Sequence, residues 1–113
     1  MTKDDCLFCR IIAGDLPSEQ VAESERSVAF RDINPAAPVH VLVVPRRHEP
    51  NIGALTAAAP DDLVDVFALV SRVAEAEGVA ANHRVITNTG RGAGQSVFHA
   101  HVHVLGGRDL PER

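Results

Sequence analysis

From Phe98 to Leu105 the chain reads Phe98-His99-Ala100-His101-Val102-His103-Val104-Leu105, an alternation of period two that spends three of the protein's six histidines in eight residues. In an extended strand successive side chains point to opposite faces, so His99, His101, His103 and Leu105 share one face while Phe98, Ala100, Val102 and Val104 share the other. The spacing predicts a strand over residues 97–105 with a row of imidazoles on one side and core on the other. Same-face neighbours in a strand stand roughly 7 Å apart. Three imidazoles so spaced cannot gather around one atom unaided, and each is free to take a separate task.

Three readings fit the row. It is a solvated edge-strand face, although three histidines at strict period two after a Gly-rich loop argue against that. It is a metal site, since histidines at i and i+2 can ligate zinc together when a neighbouring strand supplies a further ligand. Or it serves nucleophilic catalysis, in which a neutral imidazole nitrogen attacks an electrophile while a hydrogen bond holds the other ring nitrogen.

Length and composition bound the rest. A chain of 113 residues is expected to form one domain, residues 1–113, with a core of its own. It is 45% hydrophobic and 23% charged, and its net charge of -4 with scattered basic residues gives no electrostatic reason to expect nucleic-acid binding. No apolar run approaches the roughly 18 residues of a membrane span, and Met1-Thr2-Lys3-Asp4-Asp5 leads into no signal-peptide core, so a cytoplasmic protein without membrane contact is expected. The two cysteines, Cys6 and Cys9, are spaced C-x-x-C, which in a cytosolic chain points to a metal or redox pair before a structural disulfide.

Along the chain, Leu7, Phe8, Ile11 and Ile12 recur at helical spacing before Gly14, predicting a short helix. Residues 20–23 and 27–32 read as two strands joined through Ser24-Glu25-Arg26 into a hairpin. Asn34-Pro35-Ala36-Ala37-Pro38 cannot be a central strand, whereas residues 39–44 form a β-branched run closed by Pro45. Residues 46–51 read as a polar loop. Leu63, Val66, Phe67, Val70, Val73 and Ala74 lie on one helical face, with Asp61 and Asp62 in the first turn and Gly78 past the end, predicting one long helix over residues 61–77. Residues 84–88 read as a strand, with His83 before it on the surface, and Gly90-Arg91-Gly92-Ala93-Gly94 as a mobile loop. Five strands, one long helix and one short one without regular βαβ alternation predict an α+β fold with an antiparallel sheet. A sheet of this kind has an exposed edge, so a homodimer that extends or packs the sheet is expected.

Four segments in order resemble one family. Gly94-Gln95-Ser96-Val97-Phe98-His99-Ala100-His101-Val102-His103-Val104-Leu105-Gly106-Gly107-Arg108 is similar to the signature of the histidine triad (HIT) superfamily. Cys6 to Pro17, Phe30-Arg31-Asp32-Ile33-Asn34-Pro35 and Pro38 to Pro45 resemble its Hint-like branch. The resemblance implies a HIT fold and hydrolysis or transfer at the α-phosphate of a purine nucleotide. It makes His101 the nucleophile, which forms a nucleotidyl-imidazole that water cleaves, with His103 completing the triad and His40 bonded into the same network. A neutral imidazole is available near neutral pH with little adjustment, which is compatible with that role.

The Gly-rich loop is not a Walker A motif, because the Gly-Lys-Ser/Thr ending is absent. By resemblance the backbone of Gly94, Gln95, Ser96 and Val97 and the Ser96 hydroxyl hold the phosphate or the leaving group, and Asn88 adds an amide. Either Ser96 or a triad histidine relays the proton that an amine leaving group needs. Asp32 is implied to accept from both ribose hydroxyls, against the plainer reading of a turn aspartate. Phe8, Ile11, Phe30, Ile33 and Leu42 match positions around the purine, and each is also an ordinary core residue.

A C-x-x-C that precedes rather than follows a strand argues against a thioredoxin-like redox site. Bacterial relatives in this branch imply instead a structural zinc held by Cys6, Cys9, His48 and His99, which would anchor one end of the histidine strand. The chain departs from some relatives in its short tail, which has no tryptophan, and this leaves the leaving-group preference open. The expectation is a purine nucleoside phosphoramidase that also cleaves acyl or aminoacyl adenylates. The alternatives are a dinucleoside polyphosphate hydrolase and a nucleotide-binding regulatory module with little turnover; a nucleotidyl transferase fits less well because the third triad position is His103.

Overall fold

The computed structural model describes residues 5–112; the N-terminal start at Met1 to Asp4, on which the absence of a leader was read, and the final Arg113 lie outside them. The elements are α1 (Leu7–Ile12), β1 (Gln20–Glu23), β2 (Ser27–Arg31), β3 (Val39–Pro45), α2 (Ile52–Ala58), α3 (Pro60–Ala76), β4 (His83–Ile86), a 3-10 turn (Arg91–Ala93) and β5 (Val102–Gly106). All five strands form one antiparallel sheet in the order β1-β2-β3-β5-β4. The fold is α+β, as the patterning predicts.

Strand alternation sorts the side chains into two layers. Ala29, Val41, Val43, Val102 and Val104 face α2 and α3, where Leu55, Val66, Leu69, Val70 and Val73 close the larger core. Val28, Phe30, Leu42 and Val44 point the other way, onto Cys6 and Phe8 of the N-terminal helix region. α3 opens with Pro60 and the acidic Asp61 and Asp62, which suit an N-terminal turn because the helix dipole is positive there. Its buried stripe runs through Leu69 rather than Phe67, which is 41% exposed, so the predicted core role of Phe67 does not hold.

Four further expectations need correction. α2 lies in a stretch assigned to no element; Asn51 caps it by accepting the Ala54 N–H, and fully buried Leu55 anchors it to the core. His83 belongs to β4 and is half-buried, with its ring bonded to the Val79 carbonyl. The histidine strand begins only at Val102. Its partner β3 pairs Val43 with Val102, so Pro45 would oppose Ala100, and proline has no N–H to give to a ladder. Residues 97–101 therefore run alongside the sheet without joining it, and the Ala100 N–H turns to the Glu49 carbonyl at 2.7 Å. The alternation of faces persists nonetheless: Ala100 packs into the larger core while His99 and His101 lie edge-on to Phe8 on the opposite side. Phe98, expected in the core, is half-buried and belongs to neither core cluster.

Candidate active site

A cleft of about 430 Å³ opens on the α1 side of the sheet, lined among others by Phe8, Ile11, Phe30, Asp32, Ile33, Leu42, Ser96, Val97, His101 and His103. β3 and β5 place His40 and His103 on the same face in diagonal register, since His40 pairs with Leu105 and Leu42 with His103. Diagonal neighbours on a sheet lie within reach of long side chains. His40 Nε2 and His103 Nδ1 are 2.9 Å apart, and the rings of His101 and His103 are 5.1 Å apart.

The fixed donors and acceptors around the rings assign their tautomers. The His101 Nδ1–H donates to the main-chain carbonyl of His99 at 2.7 Å, so the Nε2 of a neutral His101 carries a lone pair. The Ala36 N–H donates to His40 Nδ1 at 2.9 Å, so the His40 proton sits on Nε2 and donates to His103 Nδ1. The His103 proton is then on its own Nε2. Burial pushes all three histidines below their ordinary range: His103 down to about 4, helped by its neighbours His101 and His40; His101 in the same direction against its bond to the His99 carbonyl and the pull of Asp32; and His40 likewise against Asp32. All three are neutral at pH 7.

Asp32 does two things at once. One carboxylate oxygen accepts the Asn34 N–H as a turn aspartate does, and the other lies 3.4 Å from His40 Nε2 beside the cleft. Ser96 and Val97 line the cleft, but Asn88, Gly94 and Gln95 do not. Asn88 donates to the Ala93 carbonyl, and buried Gln95 accepts the Gly90 N–H while donating to the carbonyls of Pro50 and Val97. The Gln95 N–H is likewise taken, by the Gly90 carbonyl. Through these bonds the Asn88 and Gln95 side chains shape the Gly-rich loop, in which Gly94 adopts a left-handed φ of 92°. The sequence reading missed Arg31 and the segment Leu16, Pro17 and Ser18, which also line the cleft. No periodicity marks them; only the backbone tie between Arg31 and Glu19 brings that segment to the sheet.

Beside the cleft, Cys6, Cys9, His48 and His99 converge, with one donor atom of each within 4.8 Å of the others. Sγ to Nδ1 distances are 3.3 and 3.5 Å, and the two histidine Nδ1 atoms are 3.1 Å apart. Tetrahedral zinc with ordinary bond lengths would set S···N edges near about 3.6 Å and N···N edges near about 3.3 Å. The His99 Nε2–H donates to the Pro45 carbonyl at 2.8 Å, which leaves its Nδ1 lone pair aimed into the cluster, as a metal ligand requires. The donor set fits a metal ion. A second group, Asp32, His40 and His103, is equally compact but chemically different, because His40 Nδ1 already accepts an N–H and its Nε2 holds a proton where a metal would need a lone pair. That group is a hydrogen-bond relay.

A family model described as the HIT domain matches residues 13–110. The chain belongs to the HIT family. The protein HitA of Neisseria gonorrhoeae is 41% identical over 106 residues, covering 91% of this chain and 96% of that one. The purine nucleoside phosphoramidase of Escherichia coli (strain K12) is 38% identical over 108 residues, covering 95% of this chain and 91% of that one. Among solved structures, a HIT family hydrolase from Clostridium thermocellum superposes with a TM-score of 0.93 at 45% identity, covering 99% of this chain and 98% of that one. That superposition spans nearly the whole of both chains. No helix among the described residues is long and apolar enough to cross a membrane.

Proposed function

We propose that this HIT-family hydrolase cleaves the bond between phosphorus and nitrogen in purine nucleoside 5′-phosphoramidates, and the corresponding bond of acyl or aminoacyl adenylates, through a nucleotidyl-His101 intermediate. The observation that carries this reading is the orientation of His101. Its Nδ1–H is committed to a carbonyl, and it lines a largely apolar cleft as a neutral base. The Nε2 lone pair attacks the α-phosphorus and the bond to the amine breaks. The departing nitrogen takes a proton from the Ser96 hydroxyl or a triad histidine, and the positive charge left on His101 is stabilised by its Nδ1–H···O=C bond. Water then attacks phosphorus, the P–N bond to His101 breaks, the nucleoside monophosphate leaves, and the water proton restores the donor. The His40 to His103 relay aims the Nε2–H of His103 toward a phosphate oxygen.

Asp32 would hold the ribose through its outer oxygen, and Phe8, Ile11, Phe30, Ile33 and Leu42 would enclose the base. Ile33 is 90% exposed at the cleft rim, an apolar surface that a stacked purine would cover. The purine preference is supported by the named activity of the Escherichia coli relative. Glycines 90, 92 and 94 leave room for backbone approach to an anion near Ser96.

The metal is proposed as zinc, one per chain, with Cys6, Cys9, His48 and His99 filling all four positions, so it supplies rigidity and no Lewis acidity to the reaction. Metal analysis should give about one zinc per chain and markedly less in Cys6→Ala; a metal-free protein of full stability would overturn this. A homodimer is proposed through β4, which pairs only with β5 among the described residues and leaves its other edge for an antiparallel copy. Sedimentation should find two chains, and a monomer would refute it.

The function is tested by incubating the protein with adenosine 5′-phosphoramidate and, in parallel, a dinucleoside polyphosphate. AMP should be released faster from the phosphoramidate and lost in His101→Ala. Absence of AMP from both substrates, or full activity in the variant, sinks the reading; faster cleavage of the dinucleotide reassigns the enzyme to dinucleoside polyphosphates.

A further inference from the structure

We infer that the Cys6, Cys9, His48 and His99 cluster is the positioning device for the nucleophile: a metal ion held there fixes His99, and the His99 main-chain carbonyl fixes His101 in its reactive tautomer. The inference rests on the proposed role of His101 and goes beyond a stabilising metal. Its starting point is that residues 97–101 lie outside the sheet, so no ladder holds the nucleophile's backbone. That segment is held by separate bonds: the Gln95 amide to the Val97 carbonyl, the His99 ring to the Pro45 carbonyl, the Ala100 N–H to the Glu49 carbonyl and the Thr87 hydroxyl to the His101 carbonyl.

Two of those four partners, Pro45 and Glu49, flank His48, itself a member of the cluster. A metal ion there would tie three pieces of chain together: the start of α1 through Cys6 and Cys9, the 45–49 loop through His48, and the 97–101 segment through His99. The His99 ring is fully buried, so its position is set by those partners and by the packing around it. Phe8, between the two cysteines, is edge-on to both rings, with centroids 6.0 Å from His99 and 5.0 Å from His101, so the placement of α1 is also felt directly at the nucleophile.

The chemical consequence is specific. With the His99 carbonyl 2.7 Å from His101 Nδ1, the ring proton stays on Nδ1 and the Nε2 lone pair is available for attack. If the carbonyl turns away, the ring loses that preference, and the tautomer with its proton on Nε2 cannot attack phosphorus. Phe30, Leu42 and Asp32 are held by β2, β3 and the turn after β2, which keep their ladder bonds. Phe8 and Ile11 on α1 account for a small change in KM, so loss of the cluster's ion lowers kcat more than it changes KM.

The test uses the full chain, stripped by a chelator and titrated back with Zn²⁺, with metal content, imidazole ¹⁵N NMR, kcat and KM for adenosine 5′-phosphoramidate followed together. At full occupancy His101 should be a single Nδ1–H tautomer. In the stripped chain its two nitrogens should move toward an average, with kcat down about tenfold or more and KM changed by less than about threefold. All three should return with zinc. A folded, metal-free chain that keeps the pure Nδ1–H tautomer and full kcat overturns the inference, as does failure to take up Zn²⁺. Should stripping unfold the chain, Cys9→Ser gives the second arm: a mixed His101 tautomer in the folded variant supports the coupling and a pure Nδ1–H form refutes it. A zinc-dependent tautomer in a protein that cleaves no phosphoramidate would leave the coupling standing and remove the proposed function instead.

Discussion

His40 Nε2 and His103 Nδ1 meet at 2.9 Å across β3 and β5, and because the Ala36 N–H occupies the other nitrogen of His40, the proton between the two rings belongs to His40. Protonating His103 would set its Nδ1–H against the His40 Nε2–H, and protonating His40 would set its Nδ1–H against the Ala36 N–H. The pair therefore functions only when neutral.

That sets a pH dependence. Burial, with the neighbouring rings, pushes His103 down to about 4 from an unfolded value of 6.5, and burial lowers His40 as well. A histidine whose folded value is depressed binds its proton more readily in the unfolded chain, so stability rises with pH between the two values and levels off above the upper one. Denaturation midpoints should be flat from pH 8 to 7 and fall steadily from pH 6.5 toward 4. His103→Asn should flatten that slope, and an unchanged slope would show that His103 contributes nothing to it.

The hairpin between β1 and β2 is pinned to α3 by Asp65, beside the Arg26–Asp62 ion pair. Ser24 and Ser27 both donate to the same Asp65 oxygen, at 2.5 and 2.7 Å, and Ser27 is fully buried. Burial alone would raise the Asp65 carboxyl, but these hydroxyls and the Arg26 N–H outweigh it and hold it below its usual range. Asp65→Ala leaves a buried hydroxyl without an acceptor and should cost about 1–3 kcal/mol in denaturant unfolding. Ser24→Ala should cost less, since Ser27 retains the carboxylate.

Arg31 ties the Leu16–Ser18 wall of the cleft to the fold. It reaches Glu77 through both terminal nitrogens, at 2.6 and 3.1 Å, and Glu19 through Nε at 2.8 Å. Leu16, Pro17 and Ser18 line the cleft just before Glu19. Arg31→Ala should raise KM for adenosine 5′-phosphoramidate by about three- to tenfold with kcat nearly unchanged. A fall in kcat without a change in KM would contradict the assignment.

Leu69 is fully enclosed where α3 meets the sheet. Leu69→Ala should destabilise the chain by about 2–5 kcal/mol through lost burial and the cavity left behind. Phe67→Ala, two residues away on another face of α3 and 41% exposed, should cost less than Leu69→Ala. Equal losses at the two positions would invert the helix orientation described above.

Much of this architecture was legible without coordinates. The β-branched run of residues 39–44, the hairpin and the face of α3 are written in contiguous residues, because burial on one side of a regular element imposes a period of 2 or 3.6. The histidines announced themselves in the same way, and the family resemblance named many of the residues that line the cleft, though not Arg31 or Leu16 to Ser18. α2 carried a weaker signal: the Asn51 cap was present, but seven residues centred on a single buried leucine show too little periodicity to stand out.

Residues far apart decided the rest. The alternation from Phe98 to Leu105 determined which side chains share a face, and it did so by local geometry alone. It could not determine where the strand ends, because pairing depends on what the neighbour offers, and opposite Ala100 the neighbour is Pro45, which has no N–H. From that one mismatch follow the unpaired 97–101 segment, the side-chain bonds that replace its ladder, and a His101 ring oriented by the carbonyl of His99. Likewise only the folded chain spends Asn88 and Gln95 inside the loop, and only tertiary contacts bring Cys6, Cys9 and His48 to His99, since hydrogen-bond partners and ligand sets are chosen across the sheet rather than along the sequence.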